Sequence, residues 1–283
     1  MFHLPRRRPG IVAPALLLAL AGPALGESTP QPAPLPAPAY ADLADLADSA
    51  PVVARLQLRK LVQVEPARAR GVKPGFGRFY LEARTEALLA GSTPLGLDQR
   101  FLADLPLDPK GKPPKLKKAS VIVFARGVAG RPGELQLVAP DALFGWDPAA
   151  DARLRAILGE LLGGDAPPRV SGVREAIYVS GNLAGEGETQ LFLATADGAP
   201  AAITVVRRPG AAPRWSVSFS EVANAGGRPP PRETLAWYRL ACFLPRALPA
   251  AAHVSASAED RRQAAADYAL VLEGLGPCGR LRG

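Results

Sequence analysis

From Val52 the chain alternates. Val52, Ala54, Leu56, Leu58, Val62 and Val64 share one face, while Arg55, Gln57, Arg59, Gln63 and Glu65 share the other. A period of two predicts a long strand with one wet face. Phe79, Leu81, Ala83, Thr85, Ala87 and Leu89 alternate with Arg78, Glu82, Arg84 and Glu86 and predict a second. Residues 101–107, 121–125 and 135–139 predict three more, the last pair joined by a turn at Gly130, Pro132 and Gly133. Five strands in about 90 residues, the first long enough to coil across two sheets, predict a small barrel of the OB type.

The period then changes. Asp147 can cap a helix, Pro148 suits its first position, Leu154, Ile157, Leu158 and Leu161 form one apolar stripe, and Gly163 and Gly164 end it. It reads as a bridge between two β units. Strands resume at residues 176–180, 189–195, 201–207 and 214–220, with Asp197 and Gly198 as a hairpin signal, and predict a four-stranded antiparallel meander. Beyond a stiff linker at residues 226–231, two helices are expected. Residues 232–243 carry Trp237, Leu240, Ala241 and Leu244, and residues 258–273, capped by Ser257, carry Tyr268, Val271, Leu272 and Leu275.

The expected fold class is therefore α+β and mostly antiparallel: a small OB-like barrel, then a four-stranded meander with two disulfide-linked C-terminal helices. Its expected parts are residues 1–26 as signal peptide, 27–50 as proline-rich tether and short helix, and 51–145 as OB-like unit. Residues 146–164 form the bridging helix, and 165–283 the meander with its two helices.

Composition adds a compartment. Arg6, Arg7 and Arg8, an apolar run from Ile11 to Ala21, and small residues before Glu27 make a secretory signal. The run is too short for the roughly 20 residues that span a bilayer, and no later run is apolar enough, so no transmembrane segment is expected after cleavage. Residues 27–39 alternate proline with small residues and predict an extended tether, followed by a short acidic helix near residues 40–48. In that helix Asp42, Asp45 and Asp48 recur every three residues and read as its solvated side. The only cysteines are Cys242 and Cys278, and an even count in an oxidising compartment predicts a disulfide between them. Removing the signal takes three arginines and no acid, which lowers the formal net charge from +8 to +5. That mild bias favours anionic partners without the concentrated charge of a nucleic-acid binder.

Candidate chemistry is sparse. His253 is the single histidine after the signal and no Gly-x-Ser-x-Gly elbow accompanies it, which argues against a serine triad. The usual zinc ligand sets are lacking, and no metal or cofactor is expected. Glu186 and Glu188, beside Asn182, are the best pair for acid and base work, although spacing two on a strand end would simply give them one wet face. The one distinctive segment holds Lys110, Lys112, Lys115, Lys117 and Lys118, five of the seven lysines, separated by Gly111, Pro113 and Pro114. Clustered ammonium groups can hold phosphate or carboxylate groups of an envelope glycan or an acidic protein. No aromatic residues interleave to stack bases, so nucleic acid is not the expected partner.

Two sets of residues carry resemblances. The run from Tyr178 to Glu221, with Asn182-Leu183-Ala184-Gly185, Arg207-Arg208-Pro209-Gly210 and Trp215, resembles exported proteins of GC-rich Gram-negative bacteria, as does Leu235-Ala236-Trp237-Tyr238-Arg239-Leu240-Ala241-Cys242. That resemblance brings no activity with it. The first β unit is loosely similar to the OB domains of netrin-like modules and metalloprotease inhibitors, through Glu86-Ala87-Leu88-Leu89-Ala90-Gly91 and Val121-Ile122-Val123-Phe124-Ala125. Those inhibitors chelate metal through an N-terminal cysteine, and here Glu27 is expected to begin the mature chain.

The reading is a periplasmic or secreted cell-envelope protein that binds a partner or polymer without catalysis. A carboxylate-dependent hydrolase of envelope polymers and an inhibitor of a secreted hydrolase stand as alternatives. N-terminal mass mapping of the exported protein is expected to find a chain that begins at or within two residues of Glu27. Recovery of intact residues 1–26 on the envelope protein would overturn that assignment.

Overall fold

Alternation along the chain is converted into two antiparallel sheets. A computed structural model describes Met1 and residues 35–92, 94–220, 227–255 and 257–282; the signal beyond Met1 and the tether up to Pro34 lie outside the described residues. Helix α1 (Tyr40–Ser49) leads into β1 (Val52–Gln63), β2 (Phe76–Ala90), β3 (Asp98–Pro106), β4 (Ser120–Gly127), β5 (Leu135–Leu137) and β6 (Leu143–Gly145). Their order in the first sheet is β3-β2-β1-β4-β5, with β6 also on β4. Helix α2 (Pro148–Leu162) comes next, capped by Asp147 Oδ1, which accepts the N–H groups of Ala149 and Ala150 at 2.9 Å. The second sheet is the expected meander of β7 (Val170–Ser180), β8 (Gly187–Thr195), β9 (Ala202–Arg207) and β10 (Arg214–Ser218). Gly198, at φ 76°, turns β8 into β9 in the left-handed region that glycine adopts without strain. Helices α3 (Leu235–Ala241) and α4 (Ala258–Leu275) complete the chain, with Ser257 capping α4. Among the described residues no helix is long and apolar enough to cross a membrane.

Both sheets and the helices share one core. Leu56, Leu81 and Phe124 from the first sheet belong to the same buried cluster as Leu191 and Ile203 from the second and Tyr268 and Val271 from α4. The helical stripes read from sequence supply its walls: Leu154, Ile157 and Leu158 on α2, Trp237 and Leu240 on α3.

The expected barrel is not formed, because no sheet closes on itself. Strand β5 is only three residues long against nine in β3, too short to build a ladder across the gap. The two edges touch at two places. Arg100 N–H donates to Gly133 O at 2.8 Å, beside a parallel bridge between Arg100 and Glu134, and Asp104 N–H donates to Pro140 O at 2.7 Å. A second departure lies in β1. The β1–β2 register shifts between Leu58 and Lys60, and such a bulge reverses the faces beyond it. Val62, expected on the apolar face, is consequently 45 % exposed.

The acidic stripe of α1 faces the opposite way from its sequence reading. Asp42 is buried and accepts N–H groups from Leu281 (3.2 Å) and Arg282 (3.1 Å) of the C-terminal tail, while also receiving that of Ala39 at the helix start. Asp45 accepts the Tyr238 hydroxyl and both Nε and Nη2 of Arg280. Asp48 takes a bidentate pair from buried Arg239, at 2.8 and 3.0 Å, and a second contact from Arg169 at 2.8 Å. Burial alone pushes the Asp48 carboxyl up, but hydrogen bonds and charge from Arg239 and Arg169 outweigh it and hold it below the usual carboxylate range. Three carboxylates that would serve as a solvated face instead bind α3, the tail and the approach to β7.

Next to this clamp the two cysteines are joined. Cys242, just past α3, is bonded to Cys278, just past α4, with Cα atoms 4.8 Å apart. Arg280 donates Nη1 to Cys242 O at 3.3 Å, so the tail beyond the disulfide is carried straight onto α1.

These contacts set measurable stabilities. Asp48→Asn leaves Arg239 buried without its counter-charge and should cost about 3 kcal/mol at neutral pH, the low end for a broken buried pair because Asp48 keeps some contact with water. The folded carboxyl lies below its unfolded value of about 3.9, so its contribution is complete above that pH and is lost as pH falls through the folded value. Urea unfolding of both proteins should show the wild-type advantage shrinking below about pH 4. For the disulfide, alkylation without reduction should label neither cysteine. Cys242→Ser combined with Cys278→Ser should lower stability by roughly 3 to 4 kcal/mol on the chain-entropy model.

Candidate functional site

The lysine segment joins β3 to β4 and is firmly anchored. Asp108 Oδ1 accepts the N–H groups of Lys110 (2.9 Å) and Lys112 (2.8 Å), and Asp108 N–H donates back to Lys112 O at 2.8 Å. Leu116 is buried in the core and pins the middle of the loop. At its end Lys118 adopts φ 69°, uncommon for a residue with a Cβ. This turn lets Lys118 N–H donate to Leu58 O (2.8 Å) while Ala119 O accepts from Leu58 N–H (2.9 Å). The backbone is thus fixed at three points, and the side chains are not. Lys110, Lys112, Lys115, Lys117 and Lys118 are all exposed, and none makes an ion pair among the described residues. The structure therefore presents five ammonium groups from one anchored segment.

The carboxylate pair is occupied otherwise. Glu186 Oε2 accepts the N–H groups of Asn182 (3.1 Å) and Leu183 (3.2 Å), and Glu186 O accepts that of Gly181 (2.9 Å), so Glu186 staples its own loop. Glu188 accepts from Gln190 Nε2, whose Oε1 accepts from the Thr204 hydroxyl at 3.1 Å. Both acids line a cavity of about 550 Å³ with Arg207 and Arg208, but each is spent on a structural partner rather than poised opposite the other. His253 lies where the chain pairs in parallel with Ala176 of β7, and Val254 N–H donates to Ala176 O at 3.2 Å. This stretch covers the outer edge of β7. Among the described residues no group of three or more His, Cys, Asp or Glu could hold a metal ion.

A further site is absent from the sequence reading. Between the two ties that join β3 to the β5 segment the seam opens into a groove of about 640 Å³. Its charged lining is Arg78, Arg100, Arg126, Asp104 and Glu134. Arg78 and Asp104 neutralise each other through two hydrogen bonds of 2.7 and 2.9 Å, which raise the guanidinium's already high pKa further. Glu134 is paired with Arg131 at 3.3 Å. Arg126 donates Nε to Gln136 Oε1 at 3.1 Å, a neutral partner, and Arg100 is exposed with no side-chain partner among the described residues. The available signal was the order Asp98, Arg100, Leu102, Asp104, where an apolar residue interrupts the polar face of β3.

No family model and no curated protein matches this chain.

Proposed function

We propose that this chain is an exported, non-catalytic binding module that takes an anionic partner, an envelope glycan or an acidic protein, on the lysine loop. One observation carries the reading: five exposed ammonium groups without ion-pair partners stand on a segment whose backbone is tied at Asp108, Leu116 and Lys118. A loop whose backbone is already fixed loses little backbone freedom when a ligand binds, so the attraction is offset chiefly by the ordering of the lysine side chains. A disulfide persists in an oxidising compartment, which supports export, and the proposal includes kinship with exported bacterial proteins. The first sheet belongs to it as an OB-type unit left open along the β3–β5 seam, a layout that presents its connecting loops for binding.

Single exposed charges gain little, whereas several acting on one polyanion release its counterions and make affinity fall steeply with salt. Retention on immobilised lipopolysaccharide should therefore be strong at low salt and weak at moderate salt. Changing Lys110, Lys112, Lys115, Lys117 and Lys118 to glutamine should lower the low-salt affinity by about tenfold or more. Equal, salt-insensitive retention of both proteins would overturn the assignment of the loop.

A further inference from the structure

The groove at the β3–β5 seam has a built geometry of its own, and no lysine of the 110–118 loop lines it. Its floor continues into an apolar row on the outer face of the first sheet. Val62 of β1 stands opposite Tyr80 of β2, and Tyr80 stands opposite Leu102 of β3. Val62 and Leu102 are 45 % and 51 % exposed, and Tyr80 and Leu102 both line the groove. Three neighbouring strands place this row over about 10 Å, twice the strand spacing. Charges border it. The Arg78–Asp104 pair occupies the next register position on one side, and Lys60, Glu82 and Arg100 occupy the next on the other.

Charge accounting decides what fits. Both acids of the groove are committed, Asp104 to Arg78 and Glu134 to Arg131, and Lys60 holds Glu82 at 3.1 Å. What remains uncompensated is Arg100 on β3 and Arg126 on β4, on either side of the open seam. A guanidinium is a planar fork that matches a carboxylate with two parallel hydrogen bonds, which an ammonium cannot do. Neighbouring apolar side chains with one tyrosine suit a ligand that has a flat non-polar face and polar edges. Of the two aromatic residues in the lining Phe101 is buried, and the one remaining ring of Tyr80 does not suit a strand of bases, each of which calls for its own stacking partner.

We infer that this groove is a second binding site, taking a segment of a carboxylate-bearing polysaccharide. Arg100 and Arg126 receive sugar carboxylates, and the Val62–Tyr80–Leu102 row receives the non-polar faces of the rings. An acidic polypeptide has the carboxylates but lacks the repeated rigid faces that the row matches. The site does not depend on the lysine loop, and each fails or stands separately.

Calorimetric titration of the full chain with a uronic acid hexamer, its carboxyl-reduced counterpart and a hexaglutamate peptide tests the assignment. Binding of the hexamer, at least tenfold weaker binding of the carboxyl-reduced sugar and of the peptide, and loss of tenfold or more in affinity in Arg100→Gln with Arg126→Gln are expected. The variant with five lysines changed to glutamine should keep the hexamer affinity, whatever it does on lipopolysaccharide. Leu102→Asp should also abolish binding, while Leu162→Asp, at an exposed leucine remote in sequence, should not. No binding of the hexamer, equal binding by the arginine variant, or tighter binding of the peptide than of the sugar would each overturn the inference.

Discussion

A helix of ten residues, α1, governs how the start of the described fold meets the C-terminal tail. The carboxylates of Asp42, Asp45 and Asp48, at successive turns of α1, bind the C-terminal tail, α3 and the approach to β7. Arg239 is almost fully buried, and a guanidinium in that position persists only with a carboxylate in bidentate contact. Its partner comes from 191 residues earlier in the chain. The disulfide acts on the same region, since Cys278 fixes the start of the tail whose N–H groups Asp42 receives. Covalent and ionic ties therefore bear on one place, where α1 and the C-terminal tail would otherwise separate.

In the first sheet, closure that stops short creates a surface. Curling brings β3 and the β5 segment near enough for two hydrogen bonds, but a three-residue β5 cannot complete a ladder. An open seam leaves a common space between the two edges, and Arg100 on β3 and Arg126 on β4, the neighbour of β5, line it without acidic partners. Closing it with a longer β5 would stabilise the sheet and remove the groove. The bulge at Leu58 has a related effect, because it turns Val62 outward and lengthens the exposed apolar row by one strand.

Much of this architecture is legible in the sequence wherever the signal is local. Alternation identifies the long strands, Asp197 and Gly198 give the β8–β9 turn, and Asp147, Pro148 and Ser257 mark helix starts that the structure uses. The lysine cluster is legible as a loop because its prolines and charges exclude a strand. Failures occur where the deciding partner is remote. Three aspartates at spacing three look the same whether they meet water or cations, and only the fold brings Arg239 and Arg280 to them. Arg100 and Arg126 are separated by a strand end, a loop and most of another strand, so no window of sequence contains their groove. The short β6 has three residues, too few for a period to register.

The distribution of acids explains why basic groups are left available in a chain whose positive excess is modest. Asp42, Asp108, Asp147, Glu160 and Glu186 all accept peptide N–H groups, at helix starts, turns or chain ends. A carboxylate satisfied by backbone donors does not hold an arginine or lysine side chain, and each such use leaves one cation more for solvent or a ligand. The remaining cations differ in kind at the two surfaces. On the loop they are hydrated point charges on flexible stems, suited to long-range attraction of a polyanion with little demand on its geometry. At the seam they are rigid forks beside an apolar row, suited to a ligand of defined shape. Under the binding function proposed above, a partner that carries both diffuse charge and ordered carboxylates would be drawn in by the first surface and positioned by the second.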